Sequence, residues 1–206
     1  MVHRREINGE AIILGNQGDL FQNALTWFDH ETGSVWSQPT GEAILGELTG
    51  TTLELLPSTV STWGAWQDRF PETTALEVDN RGSGFSLDSL LIVASVNDDT
   101  VAVEYDQLTA RGAVPVDVGG EPVLFVADEA RDSWAVYSRR IDGEVADIEL
   151  RNGNVFDPAT GNEWDASRGS PIGSHGIELA RLPVFTSLED DYPVFFPDGE
   201  LLDLLG

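Results

Sequence analysis

The chain of 206 residues contains no cysteine, no lysine and a single methionine. Without cysteine it forms no disulfide, uses no thiolate nucleophile and ligates no iron–sulfur cluster through sulfur. No apolar run approaches the ~20 residues that a membrane-spanning helix needs. Residues 1–15 lack the apolar core of a signal peptide. We therefore expect a cytoplasmic protein without a signal peptide or a transmembrane segment.

Positive charge is scarce. The chain has 36 acidic residues and 11 basic residues, all of them arginine, and its formal net charge is −25. Such an excess repels itself and destabilises the compact state, whereas molar salt shortens the Debye length to about 3 Å. The composition predicts a halophilic protein in a high-salt cytoplasm. An acidic patch for a cationic partner is the alternative. The missing basic footprint argues against nucleic-acid binding.

Common catalytic and cofactor motifs are also absent from the sequence. It has no G-x-S-x-G elbow, no Walker loop and no G-x-G-x-x-G phosphate loop. The three histidines, His3, His30 and His175, lack the spacing of a zinc site. We therefore predict no metal and no cofactor.

What the sequence does contain is a repeated pattern, F-D-x-x-T-G-x-x-W, at residues 28–36 and 156–164. Residues 4–10 also resemble residues 139–144, and Leu-Pro and Phe-Pro pairs recur downstream in the same order. Such self-similarity predicts duplicated structural units. We place them at residues 1–80 and 89–206, together forming one compact domain. Residues 90–128 have no counterpart in the first unit, which we expect to be shortened at its N-terminus.

Short apolar or alternating runs bounded by glycine, asparagine and aspartate predict a mainly β fold with a few short α-helices. The clearest strands are residues 90–96, 101–105, 114–118, 122–126 and 133–138. Residues 145–150 also read as a strand. Helices are predicted at residues 63–70 and 106–111. Trp63, Trp66 and Phe70 share one face of the first helix and should dock it onto the core.

One block of the sequence looks like the signature of a known family. The block runs over residues 15–57 and contains Trp27-Phe28-Asp29 and Trp36-Ser37-Gln38. It resembles domain-of-unknown-function family 3179 (DUF3179). The family has no assigned activity, so the resemblance implies kinship without chemistry. Members usually carry a Cys-Pro segment ahead of the part that matches residues 4–10. A remnant whose site lay in such a segment is one interpretation of the chain.

Asp29, His30 and Glu31 form the first group of candidate site residues, at the tip of a predicted hairpin. A carboxylate beside an imidazole suits acid/base chemistry or a hard cation. The second copy of the pattern replaces His30 and Glu31 by proline and alanine while keeping the aspartate, threonine and glycine. That retention favours turn chemistry, in which the aspartate and threonine bond to nearby backbone.

Asn23, Trp36, Ser37 and Gln38 form the second group, around the same hairpin. Amides beside aromatic rings suit a neutral polar ligand such as a sugar. They also suit the satisfaction of buried backbone groups, and we expect Trp36 and Trp164 to anchor the cores of their units. The sequence thus favours a non-catalytic module that binds a small polar ligand or a protein partner. The alternative is a hydrolase- or lyase-type enzyme that uses Asp29, His30 or Glu31.

Overall fold

The computed structural model describes residues 1–75, 90–128, 133–166, 168–174 and 176–205. His175 and the predicted boundary between residues 80 and 89 lie outside these ranges. The described part is mainly β with short helices, which confirms the predicted fold class. Its elements are β1 (Glu6–Ile7), β2 (Glu10–Ala11), β3 (Leu14–Phe21), β4 (Ala24–Asp29), β5 (Val35–Ser37), β6 (Ala43–Leu45), α1 (Trp63–Arg69), β7 (Leu90–Val96), β8 (Asp99–Glu104), α2 (Tyr105–Arg111), β9 (Ala113–Val118), β10 (Glu121–Asp128), β11 (Ser133–Ser138), β12 (Arg140–Ile141), β13 (Glu144–Val145), β14 (Glu149–Arg151), β15 (Asn154–Phe156), β16 (Glu163–Asp165), β17 (Pro171–Ile172), β18 (Val184–Leu188), α3 (Tyr192–Phe195) and β19 (Glu200–Leu202).

Two sheets form the centre of the molecule. One has the strand order β18-β7-β8-β19, with β19 parallel to β8, and the other is the antiparallel meander β11-β10-β9. Strand β7 is an apolar run buried on both faces, as expected for a strand between two layers. Ile92 faces a core shared with Phe125 and Val136, whereas Leu91 and Val93 face Phe185 and Tyr192.

Two further four-stranded meanders flank the centre. The first sheet has the order β3-β4-β5-β6 and the second sheet has the order β14-β15-β16-β17. Each is preceded by a tiny hairpin, β1-β2 or β12-β13. The single strand expected at residues 145–150 is wrong, because the chain leaves β13 after Val145 and enters β14 only at Glu149.

Backbone hydrogen bonds recur at matching places around the two flanking sheets. Leu53 N–H donates to the Gly41 carbonyl and Leu179 N–H to the Gly169 carbonyl, both at 2.9 Å. Pro57 and Pro183, which the sequence pattern aligns, pair directly in an antiparallel bridge. These contacts are compatible with duplicated units at residues 1–80 and 89–206, and the duplication stays a prediction.

Helix α1 follows Pro57 and helix α3 follows Pro183. Each of these two segments contacts the other half of the molecule, where the halves are the predicted units at residues 1–80 and 89–206. The Arg168 guanidinium of the second half lies 5.3 Å from the ring centroid of Phe70, which directly follows α1. Val194 and Phe195 of α3 lie against strands of the first sheet. Each of these segments therefore contacts the half to which it does not belong.

The expectation that Trp63 and Trp66 dock α1 onto a core is wrong. Their side chains are 46% and 39% exposed, whereas Tyr192, which aligns with Trp66, is 3% exposed. Tyr192 is buried because it packs with Leu91 and Val93 and because its hydroxyl donates to Thr100 Oγ1 at 3.0 Å. The aromatic face of α1 instead projects outward.

Candidate functional site

The hairpin between β4 and β5 holds Asp29 in a closed set of hydrogen bonds. The Asp29 carboxylate is fully buried. It accepts from the Trp36 indole at 2.9 Å, from the Thr32 N–H at 2.6 Å and from the Thr32 hydroxyl at 2.8 Å. Burial by itself would raise the pKa of Asp29, but these hydrogen bonds favour the charged form and hold the pKa below its ordinary value.

The neighbouring candidates, His30 and Glu31, also take part in the turn. The His30 ring is exposed and stacks on Phe28 with a centroid distance of 4.9 Å. Glu31 accepts from the Ile13 N–H through both carboxylate oxygens, at 3.1 and 3.2 Å. Within the described residues no hydrogen bond joins His30 to Asp29 or Glu31.

The second copy of the pattern forms a similar turn with two differences in its hydrogen bonds. Asp157 accepts from the Thr160 hydroxyl at 2.6 Å, as Asp29 does from the Thr32 hydroxyl, but its backbone donor is the Ala159 N–H at 2.8 Å, two residues on, whereas that of Asp29 is the N–H of Thr32, three residues on. The indole of the fully buried Trp164, however, donates to the Ile177 carbonyl at 2.8 Å. Trp36 and Trp164 both have zero exposure, which confirms that they are core anchors.

Ser37 lies on the face of the first sheet opposite to the Trp36 core. It is 1% exposed, and its hydroxyl has no hydrogen-bond partner among the described residues. It lines a groove of about 610 Å³ between this sheet and α3. We call this space the Ser37 groove, and its lining comprises Phe21, Gln22, Ser37, Thr40, Glu42, Ile44, Leu45, Thr49, Val194 and Phe195.

The other predicted ligand residues surround the groove without all entering it. Gln38 is half-buried and lines an adjoining space of about 250 Å³, which shares Phe195 with the Ser37 groove. Asn23 is exposed in the β3–β4 turn, where its φ of 69° is left-handed. Trp36 is enclosed in the core. The structure therefore brings Ser37 and Gln38 next to the same helix and leaves Asn23 and Trp36 apart from the groove.

A third space, of about 540 Å³, adjoins these two and is lined in part by His3 and Phe196. His3 Nε2 donates to the Gln38 carbonyl at 3.1 Å, which ties the start of the chain to the loop after Ser37. Burial lowers the pKa of His3 from its ordinary value, against the raising effect of the Gln38 and Leu53 carbonyls. A neutral imidazole is therefore favoured at this position at neutral pH.

Several wall residues of the Ser37 groove were missed by reasoning from the sequence. Phe195 and Val194 come from the far end of the chain, and no spacing rule relates them to Ser37. Phe21 is the last residue of β3 and Glu42 directly precedes β6, and the direction of a side chain at such positions depends on the register. Glu42 supplies the sole charge among the ten lining residues, so the groove is weakly acidic.

Comparison with known proteins gives a family for the part of the chain that forms the first sheet. Residues 1–83 match the family model described as a protein of unknown function, DUF3179. This segment belongs to DUF3179. No curated protein and no solved structure matches the chain. The DUF3179 segment supplies eight of the ten lining residues of the Ser37 groove, and α3 supplies Val194 and Phe195.

In the described ranges, no group of three or more histidine and acidic residues is close enough to hold a metal ion. No helix in those ranges is long and apolar enough to cross a membrane.

Proposed function

We propose that this chain is a non-catalytic β-rich module that binds a small, neutral, polar ligand in the Ser37 groove. The supporting observation is the buried Ser37 hydroxyl, which lacks a partner among the described residues and lines a groove of about 610 Å³. Burying a hydroxyl without a hydrogen bond costs on the order of 1–3 kcal/mol. A ligand that bonds to this hydroxyl recovers that free energy. The groove volume falls within the range of about 300–1,000 Å³ that is usual for small-molecule sites.

The contacts of Asp29, His30 and Glu31 support binding over catalysis. All three side chains take part in the turn or stack on its strands. A general base must reach the proton it removes, and a nucleophile needs such a base beside it. We therefore place the function at the Ser37 groove and give these three residues a structural role.

The test is a tryptophan-fluorescence melt in molar KCl with a panel of neutral metabolites. A ligand at about 100 times its Kd adds about 2.7 kcal/mol to the free energy of unfolding. Ser37→Ala should weaken binding of that compound roughly fivefold, since a net hydrogen bond contributes about 1 kcal/mol. Ser133→Ala is the control, because Ser133 is another buried hydroxyl without a described partner and lies outside the groove lining. No shift with any compound, or an equal shift in the Ser37 variant, overturns the proposal.

The exposed aromatic face of α1 favours a second candidate function, the binding of a protein partner. Trp63 and Trp66 are more exposed than tryptophan usually is, and aromatic residues are enriched in protein interfaces. A photo-crosslinking residue at position 63 should give a discrete adduct in cells. The same group at position 201, an exposed leucine on the opposite terminal segment, should not. Equal labelling from both positions counts against this candidate.

We also propose that the protein works in a high-salt cytoplasm. Support comes from the net charge of −25 and the absence of lysine. Fractionation of the source cells, with antibody detection of the chain, checks the compartment, and recovery in the extracellular fraction would contradict it.

A further inference from the structure

We infer that the ligand of the Ser37 groove is a pyranose sugar, an inference that rests on the proposed function of that groove. A pyranose ring offers an apolar C–H face and a rim of hydroxyl groups that both donate and accept. The groove has an apolar surface that could contact the C–H face and a polar surface that could bind the hydroxyl groups.

The apolar surface comes from two elements on opposite sides of the groove. Phe21, at the end of β3, is 39% exposed, and Phe195 belongs to α3. Ile44, Leu45 and Val194 complete the apolar lining. An aromatic ring left partly open to solvent in a groove is a surface on which a flat apolar face gains burial free energy.

The polar surface comes from polar side chains of the groove lining. The Ser37 hydroxyl has no hydrogen-bond partner within the described ranges, and the exposed side chains of Gln22 and Glu42 line the same groove. The hydroxyl of Thr49, by contrast, donates to the Gly46 carbonyl at 2.7 Å. An amide, a hydroxyl and a carboxylate together provide donors and acceptors for adjacent sugar hydroxyls.

Charge narrows the ligand class further. The lining has no arginine and one carboxylate, Glu42, on a chain whose net charge is −25. An anionic ligand would find no cationic partner in this groove. A small organic cation would pair with Glu42 but would leave the Ser37 hydroxyl and the Gln22 amide without a matching donor and acceptor. A neutral polyhydroxylated ring satisfies all three side chains.

The experiment is isothermal titration calorimetry on the full chain in molar KCl. The probes are the methyl glycosides of glucose, galactose and mannose, with glycerol as a polyol that has no apolar face and choline as an organic cation. At least one methyl glycoside should bind, and glycerol and choline should not. Phe21→Ala should weaken that binding roughly tenfold, because a stacked ring contributes about 1 kcal/mol or more. Phe21→Tyr keeps the ring and should retain the affinity.

The outcomes separate the sugar class from the function on which it depends. Binding of a methyl glycoside that Phe21→Ala and Glu42→Gln both weaken supports the inference, provided that Ser133→Ala leaves it unchanged. If no glycoside binds while another neutral metabolite binds and depends on Ser37, the sugar class is overturned and the proposed function stands. Choline binding that is lost in Glu42→Gln overturns both, and so does the absence of any Ser37-dependent binding.

Discussion

His3 and Tyr137 occupy matching positions in the two halves of the protein. The His3 ring donates to the Gln38 carbonyl at 3.1 Å, and the Tyr137 hydroxyl donates to the Ala166 carbonyl at 2.8 Å. Each ring lies against a glycine of left-handed φ, Gly41 or Gly169, and both pair across a bridge with the strand that leads to the central prolines. The first half thus has an imidazole where the second half has a phenol, and of the two only the imidazole ordinarily titrates between pH 5 and 8.

This relationship predicts a pH dependence that belongs to His3. Burial lowers the folded-state pKa of His3 below the ordinary value of 6.5. As the pH falls below about 6.5, the unfolded chain therefore takes up a proton before the folded chain does, and stability declines until the folded pKa is reached. His3→Tyr should flatten that decline in urea unfolding measured between pH 7.5 and 5. Equal pH slopes for His3→Tyr and the parent protein would refute the assignment.

Gly41 should tolerate alanine less well than Gly33 does. Both have a positive φ, 69° and 71°, so both substitutions carry the same backbone strain. A Cβ at position 41 would lie 2.7 Å from His3 ring atoms, whereas one at position 33 meets nothing within 4 Å. Gly33→Ala should cost on the order of 1 kcal/mol, and Gly41→Ala about 1–3 kcal/mol more from overpacking. Denaturant midpoints measure both, and equal losses would show that the His3 ring moves aside freely.

Asp29 should contribute more to stability than its counterpart Asp157. Asp29 accepts a hydrogen bond from the indole N–H of Trp36. The corresponding indole, that of Trp164, donates to the Ile177 carbonyl and not to Asp157. Asp29→Asn should destabilise the fold by about 1–3 kcal/mol, and Asp157→Asn by less. Because the pKa of Asp29 is lowered from 3.8, its contribution is complete above pH 3.8 and is lost as the pH falls through the folded pKa. An acid titration followed by circular dichroism would reveal a smaller acid response in Asp29→Asn, and an unchanged response would contradict this account.

The two kinds of tryptophan in the DUF3179 segment should respond differently to truncation. Trp36 is fully enclosed and Trp63 is 46% exposed. Trp36→Ala should cost about 3–5 kcal/mol, since it opens a core cavity and removes a donor from Asp29. Trp63→Ala should change stability by about 0.5 kcal/mol or less. Thermal melts of the two variants check this, and a comparable loss for Trp63 would mean that α1 is packed more tightly than its exposure indicates.

Salt should stabilise the chain strongly. The net charge of −25 repels itself at low ionic strength, and molar salt shortens the Debye length to about 3 Å. The melting temperature should therefore rise as KCl increases from 0.1 M to 2 M. A variant in which exposed acidic residues are replaced by glutamine or asparagine, such as Glu6, Asp68, Glu144 and Asp198, should show a shallower rise. A melting temperature that is independent of salt would contradict the salt-adapted interpretation.

The sequence by itself determined the class of fold and the position of its turns. Local chemistry was enough for strand β7, whose apolar run is bounded by Asn97 and Asp98, and for the turns at Gly33 and Gly161. It was also enough for Trp36 and Trp164, because a tryptophan repeated at the same place in a β pattern fills a core. The resemblance to DUF3179 rested on the same local blocks, and it is confirmed for residues 1–83.

Only the tertiary structure decided where the candidate site lies. Ser37 and Phe195 are far apart in sequence and meet because α3 crosses onto the first sheet. Trp63 and Trp66 have the same helical spacing as a docked face, yet they are exposed, because burial depends on what the rest of the chain places opposite them. The sequence alone did not distinguish the roles of three neighbouring candidates, Asp29, His30 and Glu31. Their roles in the turn were shown by their contacts in the folded structure. Periodicity fixes which side of an element is apolar, whereas the partner of that side is set by long-range packing that no local pattern encodes.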